Sequence, residues 1–295
     1  MKWRCLITLT IGAAILFQSE AKVTSGVYTN DVIAYISGGL EINIYLLDLD
    51  HDEPIKLAHG LAPAWSSDGC NIAYRSGTDI YIIPARLSAA NSPTQRIEAI
   101  QTDYEDPSWS PDGTNLALSS GREGYWGLDI LHLKDMSFLR VTDATLHPFS
   151  SDWSPAGDLI AFDAKKDDNF DIFTITVDGS ELHPLTNDPG KDLEPDWSPD
   201  GNQIAFSSDR DGNWELYVMN ADGSHVRRLT FNEGTDAEPD WSPDGKRITF
   251  SSNRSGVWQI YIMDADGSHV RQITDAFVTS QSPQWRPMPC PTIVR

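Results

Sequence analysis

The chain has 295 residues and sets 22 Lys and Arg against 43 Asp and Glu, for a formal charge of −21. Hydrophobic residues at 40% and aromatics at 10% suffice for a core and exclude a disordered type. The acidic balance repels phosphate backbones and excludes nucleic acid as an expected partner, while 21 Gly and 18 Pro imply frequent turns and favour an all-β fold.

The first predicted element is an export signal at residues 1–21. Lys2 and Arg4 form its charged start, Cys5 to Phe17 its apolar run, and Ser19-Glu20-Ala21 a small-x-small cleavage site. The run holds thirteen residues, short of the about 20 that a spanning helix needs. No later segment is long and apolar enough to cross a bilayer. Cleavage near Ala21 leaves a periplasmic or secreted protein that is not membrane-embedded, with a short segment at 22–31 ahead of the first strand.

Three strands follow, at Val32-Ile33-Ala34-Tyr35, Glu41 to Leu47 and Ile55 to Ala58. A repeat then takes over: Trp65, Trp109, Trp153, Trp197, Trp241 and Trp285 stand 44 residues apart. Their surroundings agree, from Pro63-Ala64-Trp65-Ser66-Ser67-Asp68-Gly69 to the paired copies Glu194 to Gly201 and Glu238 to Gly245. In the copy around Trp197 the spacing predicts four strands, at Pro195 to Ser198, Gln203 to Phe206, Glu215 to Met219 and Val226 to Thr230. Ser198-Pro199-Asp200-Gly201 suits a type I turn, and Asp222-Gly223 a hairpin. The second strand sets a large residue (Tyr74, Leu118, Phe162, Phe206, Phe250) beside a small one (Ala73, Ala117, Ala161, Ala205). That fit belongs to a sheet covered on both faces, as in stacked blades. Pro283 to Pro287 supplies only a first strand, so one blade draws on both termini and closes the ring. The expected fold is an all-β, six-bladed β-propeller over 32–287, four antiparallel strands per blade, with a tail at 288–295.

The Trp-Ser-Pro-Asp-Gly signature, the Ile-Ala-Phe-Ser-Ser that follows it at Ile204, and the Tyr217-Val218-Met219-Asn220-Ala221-Asp222-Gly223 run resemble the repeats of the TolB C-terminal β-propeller. TolB proteins are periplasmic and carry an N-terminal α/β domain of over a hundred residues. Only Lys22 to Asp31 separates the signal from the first strand here, so that domain is not expected. A chain taken up almost wholly by scaffold, with no recognisable catalytic set, reads as a monomeric, non-catalytic scaffold that binds a protein or peptide on its channel face. Related repeats also occur beside serine peptidase domains and in polysaccharide-degrading enzymes, so the alternative is a secreted lyase or hydrolase acting on polysaccharide.

The in-phase tryptophans read as packing between blades, as do Phe170, Trp214 and Trp258. Asp103, Asp192 and Asp236 recur at nearly the same phase, followed by Asp106, Glu194 and Glu238 just ahead of the Trp strands. These six acids are weak candidates for a cation such as Ca²⁺ at the channel mouth. A competing reading pairs the acids with Arg122, Lys166, Arg210 and Arg254, each 13 residues after its Trp. Asp209 to Glu215 resembles a shortened calcium loop but lacks its spacing, and reads as a turn. No nucleophile elbow, His-Glu-x-x-His or phosphate loop is present, and His225 and His269 recur in phase as structural residues. The repeat breaks at the second blade, where a longer loop carries Tyr125 and Trp126, and at the third, where His147-Pro148-Phe149 precedes the Trp strand. Tyr125, Trp126, His147 and Phe149 are therefore the candidate partner site. The first blade also inserts Ala85 to Gln95. Cys70 and Cys290 each lie five residues after a repeat Trp, on blades that meet at the closure. They either form a disulfide across it or remain two free thiols.

Overall fold

A computed structural model describes residues 31–39, 41–85, 95–97, 104–121, 124–274 and 278–290. Within them the chain forms six four-stranded sheets, every paired neighbour antiparallel, arranged as the blades of a propeller. Five blades run in chain order from the innermost strand outward. The sixth places Ser280–Trp285 innermost, against Val32–Gly38, with Ile33 opposite Trp285 and Ala34 opposite Gln284. Both termini thus build one blade, and the innermost edge is paired rather than open.

The blades cohere because both faces of each sheet are apolar. Between the fourth and fifth, Ala205, Leu216, Val218 and Leu229 meet Trp241, Ile248, Phe250, Tyr261 and Met263, all buried. Phe250 stacks on Tyr261 within its own sheet, ring centres 5.8 Å apart. The other interfaces repeat the arrangement, down to Ile33 and Trp285 against Ile262 at the closure. The small residue on the second strand is what lets the neighbouring Trp approach. Truncating one such Trp to Ala costs about 3–5 kcal/mol.

Turn chemistry follows the sequence. In Ser198-Pro199-Asp200-Gly201 the Gly201 amide donates to the Ser198 carbonyl at 2.9 Å, and the Ser198 hydroxyl to Asp200 at 2.6 Å. The Asp209 segment closes as a turn, Gly212 donating to the Asp209 carbonyl. Strand limits differ from the sequence reading. The innermost strand of the fourth blade is Asp192–Trp197, and the outermost shrinks from the expected Val226 to Thr230 to Arg227–Arg228. The cause is Thr230, whose hydroxyl accepts the Leu216 amide at 2.9 Å in place of a ladder carbonyl. Thr142, Thr186 and Thr274 repeat the substitution. The N-terminal outer strand instead lengthens to His51–His59. Most of the insertion at Ala85 to Gln95 lies outside the described residues.

At the closure Cys70 and Cys290 form a disulfide across 220 residues, Cα atoms 4.7 Å apart. The tail reaches it by lying on the first blade's turn. Gly69 has φ +63°, and a Cβ there would stand 1.8 Å from the Met288 carbonyl oxygen, so only glycine fits. Arg286, buried over the Trp65 ring, donates from Nε to the Gly69 carbonyl at 3.0 Å.

Candidate functional site

Each innermost strand is bulged just ahead of its Trp, as in the register shift between Leu193 and Asp196. The residue three before the Trp is left-handed in five blades: Ala62, Asp106, Glu194, Glu238 and Ser282 have φ between +44° and +58°. Such a φ is uncommon outside glycine and persists only where the surroundings hold it. At Glu194, Glu238 and Ser282 what holds it is a side chain of the preceding blade that accepts the amide. Glu194 Oε2 accepts the Glu238 amide at 2.8 Å, and Glu238 Oε2 accepts the Ser282 amide at 2.7 Å. Ser207 and Ser251 donate to the same two carboxyls. The third blade exchanges the two roles. Ser150 stands where the glutamate would be, and Asp163 stands at the serine position of the second strand, accepting the amides of Ser150 and Glu194 at 3.2 and 3.1 Å.

A second tier lies one residue before the Trp. Asp152, Asp196 and Asp240 each accept the backbone N–H of the next blade's tryptophan, Trp197, Trp241 and Trp285, at 2.8, 2.6 and 2.6 Å. The equivalent residues elsewhere are Ala64, Ser108 and Gln284. Together the bulges, these residues and the tryptophans enclose an axial channel of about 410 Å³. Its acids are concentrated along blades three to five, with Asp106 of the second blade the one acid on the opposite side among the described residues.

Burial raises the pKa of Asp152, Asp163, Glu194, Asp196 and Asp240. Asp152 and Asp163 are pushed up to about 7, in both cases chiefly by loss of water. Glu194 rises to about 8 through burial and then the Glu238 carboxyl. Asp196 and Asp240 rise well above the usual carboxylate range, first by burial, with added repulsion from Asp240 and Asp152 on Asp196 and from Asp152 on Asp240.

The six metal candidates divide. Asp192 and Asp236 are fully buried and pair with Arg210 and Arg254 at 2.7 and 2.6 Å, which is the ion-pair reading of the sequence. Glu194 and Glu238 hold the neighbouring bulges, Asp106 occupies a bulge itself, and Asp103 lies outside the described residues, as does Arg122. Lys166 is exposed, and its repeat has Pro148 where the fourth and fifth have the paired aspartate. No group of three His, Cys, Asp or Glu among the described residues is placed to hold a metal ion.

The partner candidates lie on the face where the innermost strands begin, outside the channel wall. His147, exposed, opens the strand His147–Trp153, and half-buried Phe149 packs on Phe170 with ring centres 5.6 Å apart. Tyr125 lies under the Arg140 guanidinium, 4.9 Å from its ring centre, and Trp126 beside it is half-buried. Sequence reasoning missed Asp152, Asp163, Asp196 and Asp240. Their signal was the Asp before Trp in three consecutive repeats, together with the exchange of Ser150 and Asp163 for Glu194 and Ser207.

The fold and the channel define the class: a six-bladed β-propeller whose innermost strands wall an acid-lined axial channel. The family profile described as the TolB beta propeller domain matches residues 106–235 and 210–290, more than half of the chain, and the chain belongs to that family. A structure described as TolB from Agrobacterium tumefaciens is 26% identical, with a TM-score of 0.72 over 85% of this chain and 91% of that one. TolB from Acinetobacter baumannii is 20% identical, with a TM-score of 0.75 over 89% of this chain and 68% of that one. Hydrazine synthase from Kuenenia stuttgartiensis shares the fold at 14% identity and a TM-score of 0.69, over 88% of this chain and 48% of that one. None of the curated proteins compared matches the chain. No helix among the described residues is long and apolar enough to cross a membrane.

Proposed function

We propose that this chain is an exported, non-catalytic scaffold of the periplasm or cell envelope, binding a protein or peptide on the face that carries the channel mouth. The observation that carries the reading is the rim of that face. Half-exposed aromatics at Tyr125, Trp126 and Phe149 and the exposed His147 stand on rigid blades beside an acidic wall. Large aromatics supply contact area at little entropic cost, and the chain's formal charge of −21 selects a basic partner and speeds its approach. Membership of the TolB β-propeller family agrees with binding rather than catalysis. The export signal at residues 1–21 lies outside the described residues and rests on the sequence.

The test is capture from a periplasmic extract with native protein and with the Tyr125→Ala/Trp126→Ala variant, each at low and high salt. Captured partner should fall at least about tenfold in the variant, matching the loss of one or two hot-spot residues. The variant's thermal midpoint should stay near that of the native protein. Equal capture, or early melting of the variant, would show that these rings only pack.

A further inference from the structure

We propose that the axial channel is a pH-responsive element of the fold: its buried carboxyl groups have no cationic partner among the described residues, and charging them as pH rises loosens the seams between blades. The proposal stands on the free protein and does not need the partner-binding reading.

The geometry leaves the six carboxyls little alternative. Asp152, Asp196 and Asp240 occupy one level of a narrow channel, Glu194 and Glu238 the level above, and Asp163 lies behind that level, accepting the Glu194 amide. Among the described residues none of the six forms an ion pair with Lys, Arg or His, whereas Asp192 and Asp236 nearby each hold an arginine. The groups facing the lower tier are neutral: Ala161, Ala205 and Thr249 across the sheet, and Ala64, Ser108 and Gln284 around the channel. At the far end Arg247 is committed to Asp31 at 2.7 Å and Arg286 to Gly69. At the mouth the charged neighbours are Asp106, which adds repulsion, and Arg75, which lies 3.9 Å from Glu105. One oxygen of Asp163 is buried with no hydrogen-bond partner. Unpaired buried carboxylates of this kind are neutralised rather than ionised.

The direction follows from linkage. Asp152, Asp163, Glu194, Asp196 and Asp240 bind protons more tightly folded than unfolded, so their contribution to stability is complete below the ordinary carboxylate range, about pH 4. It declines as pH rises and is lost through the raised values near 7 and 8. Each released proton leaves a charge beside others of the same sign, on the oxygens that join one blade to the next.

The test compares thermal melts of native protein with those of the Asp152→Asn/Asp196→Asn/Asp240→Asn variant. Asparagine keeps an acceptor for the three Trp amides and cannot ionise. The native midpoint should fall by about 5 °C or more between about pH 5.5 and about pH 8.5, and the variant's slope should be flatter, with Asp163 and Glu194 left to titrate. Equal slopes would overturn the proposal. Should the variant fail to fold, infrared spectra of the native protein decide. A protonated-carboxyl C=O band present at pH 7 and bleached at high pH supports the proposal, and its absence at pH 7 overturns it.

Discussion

Glu238 shows how a single side chain joins two blades. Its carboxyl accepts the Ser282 amide at 2.7 Å, the Ser282 hydroxyl at 3.0 Å and the Ser251 hydroxyl at 2.5 Å, while its own amide is held by Glu194. Both Glu238 and Ser282 are left-handed, so the bond also sustains an unfavourable backbone. Removing the acceptor leaves buried donors unsatisfied, at a cost of about 1–3 kcal/mol. Glu238→Ala should therefore lose about 2 kcal/mol in urea unfolding, and Glu238→Gln under about 1, because an amide oxygen still accepts. If the two variants unfold alike, the carboxyl is not what holds the next bulge.

At the scale of the element, the closing strand Ser280–Trp285 is a single strand doing the work of a covalent joint. It pairs with Val32–Gly38, continued by the Arg286 amide donating to the Val32 carbonyl at 2.8 Å, buries Trp285, and hands the Arg286 side chain to the first blade. Arg247 caps the Trp285 ring from the neighbouring blade, its guanidinium 4.8 Å from the ring centre. The disulfide then fixes the tail behind it, enclosing a loop for which the chain-entropy account gives about 5 kcal/mol as a ceiling. Truncation after Thr279 should remove cooperative melting at the native midpoint. Cys70→Ser/Cys290→Ser should keep the fold and melt several degrees lower, and mass spectrometry of exported protein should show both thiols oxidised. A truncated chain that melts like its parent would show that the ring does not need this strand.

For the molecule as a whole, the acids ascribed to a cation at the channel mouth have other occupations. Asp192 and Asp236 neutralise arginines, and Glu194 and Glu238 hold backbone amides of the adjoining blades. A ligand that binds only the folded state raises the melting temperature by mass action. The midpoints in chelator and in millimolar Ca²⁺ should therefore coincide. A rise in Ca²⁺ would show a site that these contacts do not reveal.

The sequence by itself determined the blade count, the phase of every strand and the blade built from two ends. A 44-residue period with one Trp per unit leaves a chain of this length few other ways to bury its apolar faces. It also marked Arg210 and Arg254 as partners for acids, because in-phase residues on adjoining loops meet wherever the loops share a face. Strand ends were less legible, since Thr230 and its counterparts replace a ladder bond with a side-chain bond that no periodicity reports. The channel was decided by tertiary structure alone. Asp152 or Asp196 reads as an ordinary polar residue ahead of a tryptophan until six innermost strands converge. The bulge then turns it toward the axis, the next blade's amide reaches it, and the ring excludes the water that would otherwise keep it charged.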